Sequence, residues 1–412
     1  MQSERARFSD TIYIAAADST EEDKAGADYV CAGTHDEVTL QTAVEQIAVP
    51  VDGEIRGRHI VLLPGHYYID AFPKKTPTGW AAVQIPDATN AFSHIGLWIT
   101  GSVHTESTCI HVTKECYDSL PTPADSNSSC GDSYSIFAGT SHNWNHHVFE
   151  DLYVTVPDSQ KNIICFDGRL LGAMGLRRCK CLCDTRGNYG KTVKPLPVEG
   201  FVAFMGTYGS NNMWEEKWEF CQAEGFGQGF AVGSEHLLLH KCAALFGRYG
   251  YTFHNYPCPF GVVVHPMTLL NCLDEANANL WKFGKNDSRQ CIMAYNTSFE
   301  RVPAWLRLEG GGRYAYEERP GDYCGHIDYV ANGGYYTEND PTIRFWEEGS
   351  GVHMETVNNA QKKLCTSAER RTYATHVGQE IFDTDLGKKL IWLGDHWVDS
   401  LGQPVIETEK EQ

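Results

Sequence analysis

Between Trp218 and Trp281 the chain repeats one pattern three times: WEFCQAEGFGQGFAVG, LHKCAALFGRYGYTFH and LLNCLDEANANLWKFG. Cys221, Cys242 and Cys272 each precede a large aromatic, Phe230, Tyr251 and Trp281, by nine residues. The first two units are offset by 21 residues and the third follows 30 later, with an irregular insertion around residues 256–266. Units this short cannot bury an apolar face alone, so each must stack on the next. Many Gly and Asn, and no long amphipathic helix in this stretch, point the same way. The spacing predicts an all-β fold, a parallel β-solenoid with the cysteines and aromatics in interior rows. Such a fold also aligns outward side chains, so carboxylates far apart in sequence can share one row.

Composition narrows the partners. Of 412 residues, 42% are hydrophobic and 12% aromatic, enough for a sizeable core. The net charge of −19, with no run of five basic residues, argues against nucleic acid or an anionic membrane as the main partner. No apolar stretch approaches the ~20 residues of a membrane span. The N-terminal MQSERARFSDTIYIAAADS lacks the apolar core of a signal peptide. Cys179, Cys181 and Cys183 alternate with Lys180 and Leu182 and so share one strand face. With fifteen cysteines but no CxxC pair, these read as buried reduced thiols rather than a metal or disulfide cluster.

Four regions follow along the chain. Residues 1–54 hold a strand at 11–17, a polar segment at 18–26 and a capping helix. Its start fits a capping box, Thr34 with Glu37, and Leu40, Val44 and Ile47 share one face. Residues 55–350 are the expected parallel β-helix, interrupted by polar excursions at 117–147 and 185–200. Residues 351–375 form a linker, with a short helix over 357–371. Residues 376–412 form a β-meander of three strands separated by turns at Asp385–Gly387 and Gly394–Asp395.

The run Ala27-Asp28-Tyr29-Val30-Cys31, Gly33-Thr34, Asp36-Glu37, Gln41, Ala43, then Leu62-Leu63-Pro64-Gly65 with Tyr67-Tyr68-Ile69, carries a resemblance. It resembles the N-terminal part of right-handed parallel β-helix proteins of the pectate-lyase-like superfamily, in the version found on phage and prophage tails. The C-terminal Gly378-Gln379, Phe382-Asp383-Thr384, Gly387-Lys388, Trp392 and Trp397 are similar to a small module common on phage tail proteins. The resemblance implies a right-handed helix, a homotrimer, other tail proteins as partners, and a place in the virion tail after synthesis in the host cytoplasm. It also implies a tailspike or receptor-binding role toward a host cell-surface glycan, with a depolymerase activity left open.

Candidate chemistry comes from the repeat. The third position after the cysteine is Glu224, then Leu245, then Glu275, with Asp274 beside it and Glu300 near the same row one coil on. Strands stack ~4.8 Å apart, so Glu224 and Glu275 should stand roughly 9–10 Å apart and Glu275 and Glu300 roughly 5 Å. These separations fall near those of inverting and retaining glycosidases. Glu224, Asp274, Glu275 and Glu300 are therefore the candidate catalytic carboxylates, in a column expected to face solvent. The alternative is that they are solvated acids of an acidic protein. Trp214, Glu215, Glu219, Tyr314 and Tyr316 are the candidate glycan-binding residues, since sugar faces stack on aromatic rings and acids accept from hydroxyls. Trp218 reads as an inward coil residue. A lyase needs a basic group, and Arg248 and Arg301 do not stand out. His142, His146 and His147 read as a polar loop, and no metal or cofactor is assigned. Three functions are weighed: a glycan-recognising tail protein, a bacterial hydrolase or lyase on the same fold, and a purely structural virion component. A hydrolase is favoured over a lyase if the protein is an enzyme.

Overall fold

Each coil of the stack consists of three short strands, and its first corner is turned by a single residue. The computed structural model describes residues 11–47, 58–85, 96–102, 107–124, 132–140, 146–171, 173–187, 191–206, 217–232, 237–253, 266–283, 291–304, 306–308, 318–331, 342–347, 363–368, 370 and 380–405. A representative coil runs Lys217–Glu219 on face I, Gln222–Glu224 on face II and Gln228–Val232 on face III. Each strand pairs in parallel with its equivalent one coil away, for example Glu219↔His240, Glu224↔Leu245 and Phe230↔Tyr251. The chain is thus a parallel β-solenoid, as the repeat predicts.

The corner between faces I and II is occupied by Asp151, Arg178, Phe220, Lys241 and Asn271 in successive coils, at φ of 56°, 51°, 56°, 52° and 52°. A left-handed L-residue costs roughly 1–2 kcal/mol. Hydrogen bonds running through the corner offset that cost. The Phe220 N–H donates to His240 O at 2.9 Å and the Lys241 N–H to Leu270 O at 3.0 Å. Faces I and II consequently belong to one 19-stranded sheet, and face III to a nine-stranded one.

Two interior rows fix the register. On face III, Phe137, Phe166, Phe204, Phe230 and Tyr251 stack with ring centroids 5.6, 5.5, 5.0 and 5.1 Å apart. Trp281 is the next register partner. At the start of face II, Cys179, Cys221, Cys242 and Cys272 are all buried. Their thiols also serve as weak donors: Cys242 Sγ lies 3.2 Å from Trp218 O and Cys272 Sγ 3.6 Å from Leu239 O. These carbonyls sit near where the chain leaves face I, so the small residue before each face II strand adds a weak second contact to a ladder carbonyl. Burial pushes the Cys221 and Cys272 thiols well up, which disfavours their thiolate forms. The buried-thiol reading of Cys179, Cys181 and Cys183 agrees with this placement.

At the N-terminal end, α1 spans Glu21–Gly26 and α2 spans Asp36–Ile47. Leu40, Ala43 and Val44 of α2 join the core cluster, and Gln41 exchanges two hydrogen bonds with the backbone of Gln84. The segment 18–26, read as merely polar, contains α1 because Thr20 caps it and accepts from Asp23 N–H. The expected Thr34–Glu37 capping box is replaced by longer reaches. Asp36 accepts from Gly33 N–H and Tyr68 N–H, and Glu37 accepts from Asp70 N–H. The helix start is thereby bonded to the first turn of the solenoid.

Three further expectations are corrected. The excursion at 117–147 contains a face III strand, Ser133–Gly139, and ends in a face I strand, His146–Glu150. His147 there is buried and accepts from Leu97 N–H rather than standing in a polar loop. The parallel stack does not reach residue 350: Glu318–Ala331 pairs antiparallel with Cys291–Ala304, and Thr342–Glu347 pairs antiparallel with it. The expected helix over 357–371 is broken by a strand, Lys363–Cys365, parallel to Glu380–Asp383. Glu380–Asp383, Lys388–Trp392 and Trp397–Asp399 form an antiparallel meander, tied back through Arg370 Nη2 to Asp383 at 2.8 Å.

The ring row is the interior feature most sensitive to truncation. Phe204→Ala should lower unfolding stability by about 3–5 kcal/mol, read as a drop in urea midpoint. A change below about 1 kcal/mol contradicts the stacked interior.

Candidate functional site

The outward row of face II is assembled in the register that the repeat requires. Leu182, Glu224, Leu245, Glu275 and Glu300 are consecutive partners. Glu224 and Glu275 stand two coils apart, and Glu275 and Glu300 one.

The row is roofed rather than open, which corrects the expectation of a solvent-facing column. Glu224 and Glu275 are only 8% and 5% exposed. Residues 185–187 and 191–200, in the second polar excursion, form the cover. Arg186 Nε lies 3.0 Å from Glu224 Oε2, and Lys180 Nζ 3.4 Å from Oε1. Val193 N–H donates to Phe246 O, and Thr192 Oγ1 to Ala276 O. The far end of the strap is anchored by Glu199, fully buried, with Arg248 Nη2 at 3.5 Å and Tyr249 Oη at 3.3 Å. Arg248 therefore holds the strap.

Asp274 leaves the row altogether. A strand alternates its faces, and Asp274 is partnered by Ala244, which is itself partnered by Ala223, both core residues. It is completely buried. Its Oδ1 accepts from Asn277 Nδ2 at 2.7 Å, while Oδ2 has no hydrogen-bond partner among the described residues. Gly250 makes room for it, since a Cβ there would stand 1.9 Å from Oδ2. Burial holds this carboxyl well above the usual carboxylate range, and the Asn277 bond offsets that only in part.

The open surface is the corner between faces I and II, together with the last outward row of face I. That row runs Glu150, Arg177, Glu219, His240, Leu270, Tyr295. Glu219 is the one proposed glycan contact that the described residues include; Trp214, Glu215, Tyr314 and Tyr316 lie outside them. It is half-buried, with His240 Nδ1 3.5 Å away. Trp218 points inward, as expected, and donates from Nε1 to Met174 O at 2.8 Å. Beside Glu219 the corner residue Phe220 is 45% exposed, against His240 and under Lys241 Nζ. Lower on the corner, Arg178 grips Asp151 with Nε–Oδ1 at 2.6 Å and Nη2–Oδ2 at 2.7 Å.

Three large aromatics stand out on this side: Trp98, Phe220 and Tyr295, at 46%, 45% and 44% exposure. The face I strand of Trp98 lies three coils from that preceding Phe220, which lies three coils from that of Tyr295. At ~4.8 Å per coil the interval along the stack is about 14 Å each time; Trp98, partner of Val148, stands two residues before the row that ends in Tyr295. Sequence reasoning missed all three. The signal was present for Phe220, since the residue just before each repeat cysteine is the corner residue.

No family model matches the chain, and no curated protein matches it. Among solved structures it is similar to ORF18 of Geobacillus virus E2, at 11% identity over 90% of this chain and 82% of that one, with a TM-score of 0.21. A likeness at that TM-score carries no argument for fold or function.

Asp274 gives this region a pH signature. Its folded-state pKa is raised, so its contribution to stability is full below the unfolded carboxylate value of ~3.9 and is lost as pH rises through the folded value. Asp274→Asn should remove that loss, making the urea midpoint less pH-dependent and raising it at alkaline pH. Parallel pH profiles for variant and wild type would contradict the assignment.

Proposed function

We propose that this protein is a phage tail-associated, right-handed β-helix that recognises a host cell-surface polysaccharide along the corner between faces I and II. The observation that carries the reading is the spacing of Trp98, Phe220 and Tyr295, exposed at three-coil intervals on one side of the stack. An extended polyhydroxylated chain suits such a track. Its apolar sugar faces stack on the rings, and its hydroxyls exchange hydrogen bonds with Glu219, His240 and Asn271 between them. The sequence resemblances at both ends support a tail location, and the right hand agrees with the rule for parallel crossovers. A trimer in the virion tail, bound to other tail proteins, fits the resemblance and the exposed aromatics, since exposed apolar groups mark association.

An adhesive role fits the geometry better than a depolymerase. Glu224 is engaged by Arg186 and Lys180, and Asp274 is internal. The depolymerase alternative rests on Glu275 and Glu300 in adjacent coils.

The test is binding to purified host capsule and wall polysaccharides. Phe220→Ala and Tyr295→Ala should each weaken binding by about 1 kcal/mol without releasing reducing ends, in a preparation whose light-scattering mass is that of three 46.0 kDa chains. Unchanged binding in both variants contradicts the corner track. Release of reducing ends that stops in Glu275→Gln replaces the adhesin by the depolymerase.

A further inference from the structure

We propose that His66, Cys109 and His111 bind one zinc ion, or a divalent metal with the same preference for thiolate and imidazole. They lie on the first two face II strands, Gly65–Ile69 and Thr108–Val112. His66 and Cys109 are register partners, and His111 follows Cys109 by two residues, so all three project from the same side. One ligand atom from each lies within 4.8 Å of the others.

The two imidazoles already stand near the spacing of a coordinated pair. His66 Nδ1 and His111 Nε2 face each other at 2.7 Å. Zinc bonds of about 2.0–2.1 Å to nitrogen and about 2.3 Å to sulfur, at tetrahedral angles, place two nitrogens about 3.3 Å apart and nitrogen and sulfur about 3.6 Å apart. The imidazoles therefore need to separate by about half an ångström. A metal replaces the single proton that two facing ring nitrogens must otherwise share.

The surroundings orient both rings for that task. The outer nitrogen of His111, Nδ1, lies 2.6 Å from Thr155 Oγ1. That of His66, Nε2, lies 3.8 Å from Asp18 Oδ2, within ion-pair range, and Oδ1 of the same carboxylate accepts the His66 backbone N–H at 2.9 Å. Oxygen partners on the far nitrogen are what fix the tautomer of metal-binding histidines. Tyr68 stacks on His111 with centroids 5.4 Å apart, holding the ring from the side.

The donor set decides the metal class. One thiolate and two imidazoles favour zinc, or copper and nickel, over magnesium and calcium, which take oxygen ligands. The His66 side chain is 49% exposed, so the fourth position opens to solvent. Bound metal ties the first coil of face II to the second, near the end of the stack where only one neighbouring coil supplies strand pairing.

The experiment uses the full chain, stripped with EDTA and titrated with Co2+ and then Zn2+. We expect one Co2+ per chain with a thiolate charge-transfer band in the near ultraviolet, displaced stoichiometrically by Zn2+. Cys109→Ser should abolish the band. His66→Ala, at a half-exposed position where the fold tolerates truncation, should weaken binding at least tenfold with an unchanged circular dichroism spectrum. Absence of saturable binding at millimolar metal overturns the proposal. So does a band and affinity unchanged in His66→Ala, which places the metal elsewhere in the chain.

Discussion

In-register parallel stacking is the constraint on which the rest of the structure depends. A strand presents alternate residues to opposite faces, so slipping one coil by a single residue turns its whole interior outward. Two rows oppose that slip. The rings of Phe137, Phe166, Phe204, Phe230 and Tyr251 stack along face III, and the thiols from Cys179 to Cys272 line the first corner of the interior. The second row has a polar component as well, because Cys179 Sγ reaches Phe149 O at 3.4 Å much as Cys242 reaches Trp218 O. A larger apolar residue there fills the space but loses that weak thiol bond.

The same register produces every outward feature of interest. It aligns Glu224, Glu275 and Glu300, brings His66 beside His111 across 45 residues, and spaces the exposed aromatics along the stack. What separates an accessible row from an inaccessible one is the insertion, not the coil. The strap 185–200 closes over the face II row through Arg186, Thr192 and Val193, while the face I corner keeps Phe220 and Tyr295 open. The two surfaces share one backbone geometry and differ in what covers them.

Much of the fold was legible in the sequence because its repeat is short and its interior residues are distinctive. The nine-residue interval from Cys221 to Phe230 spans one face II strand, one corner and half a face III strand, and it is unchanged in the next two coils. Earlier coils hid from the same reading. Cys179 stands 42 residues before Cys221 because the strap lies between them, so equal spacing fails where an insertion is large. The site was less legible for a local reason. Glu275 and Asp274 differ by one position, and only the pairing of Asp274 with Ala244 tells which one enters the core. The antiparallel pairing of Glu318–Ala331 with Cys291–Ala304 and the strand Lys363–Cys365 depend on partners 14 or more residues away, which no local pattern announces.

Register can be read out directly by cross-linking adjacent coils. Gln222 and Ala243 are partners on the outward side of face II, whereas Ala244, one residue on, points inward. Parallel partners at ~4.8 Å fall within the Cα separation a disulfide spans, about 4.4–6.8 Å. The double variant Gln222→Cys/Ala243→Cys should therefore close a disulfide under mild oxidation, identified by peptide mapping. Gln222→Cys/Ala244→Cys should stay reduced. The opposite outcome, closure only in the shifted pair, would contradict the register and with it the alignment of every row described above.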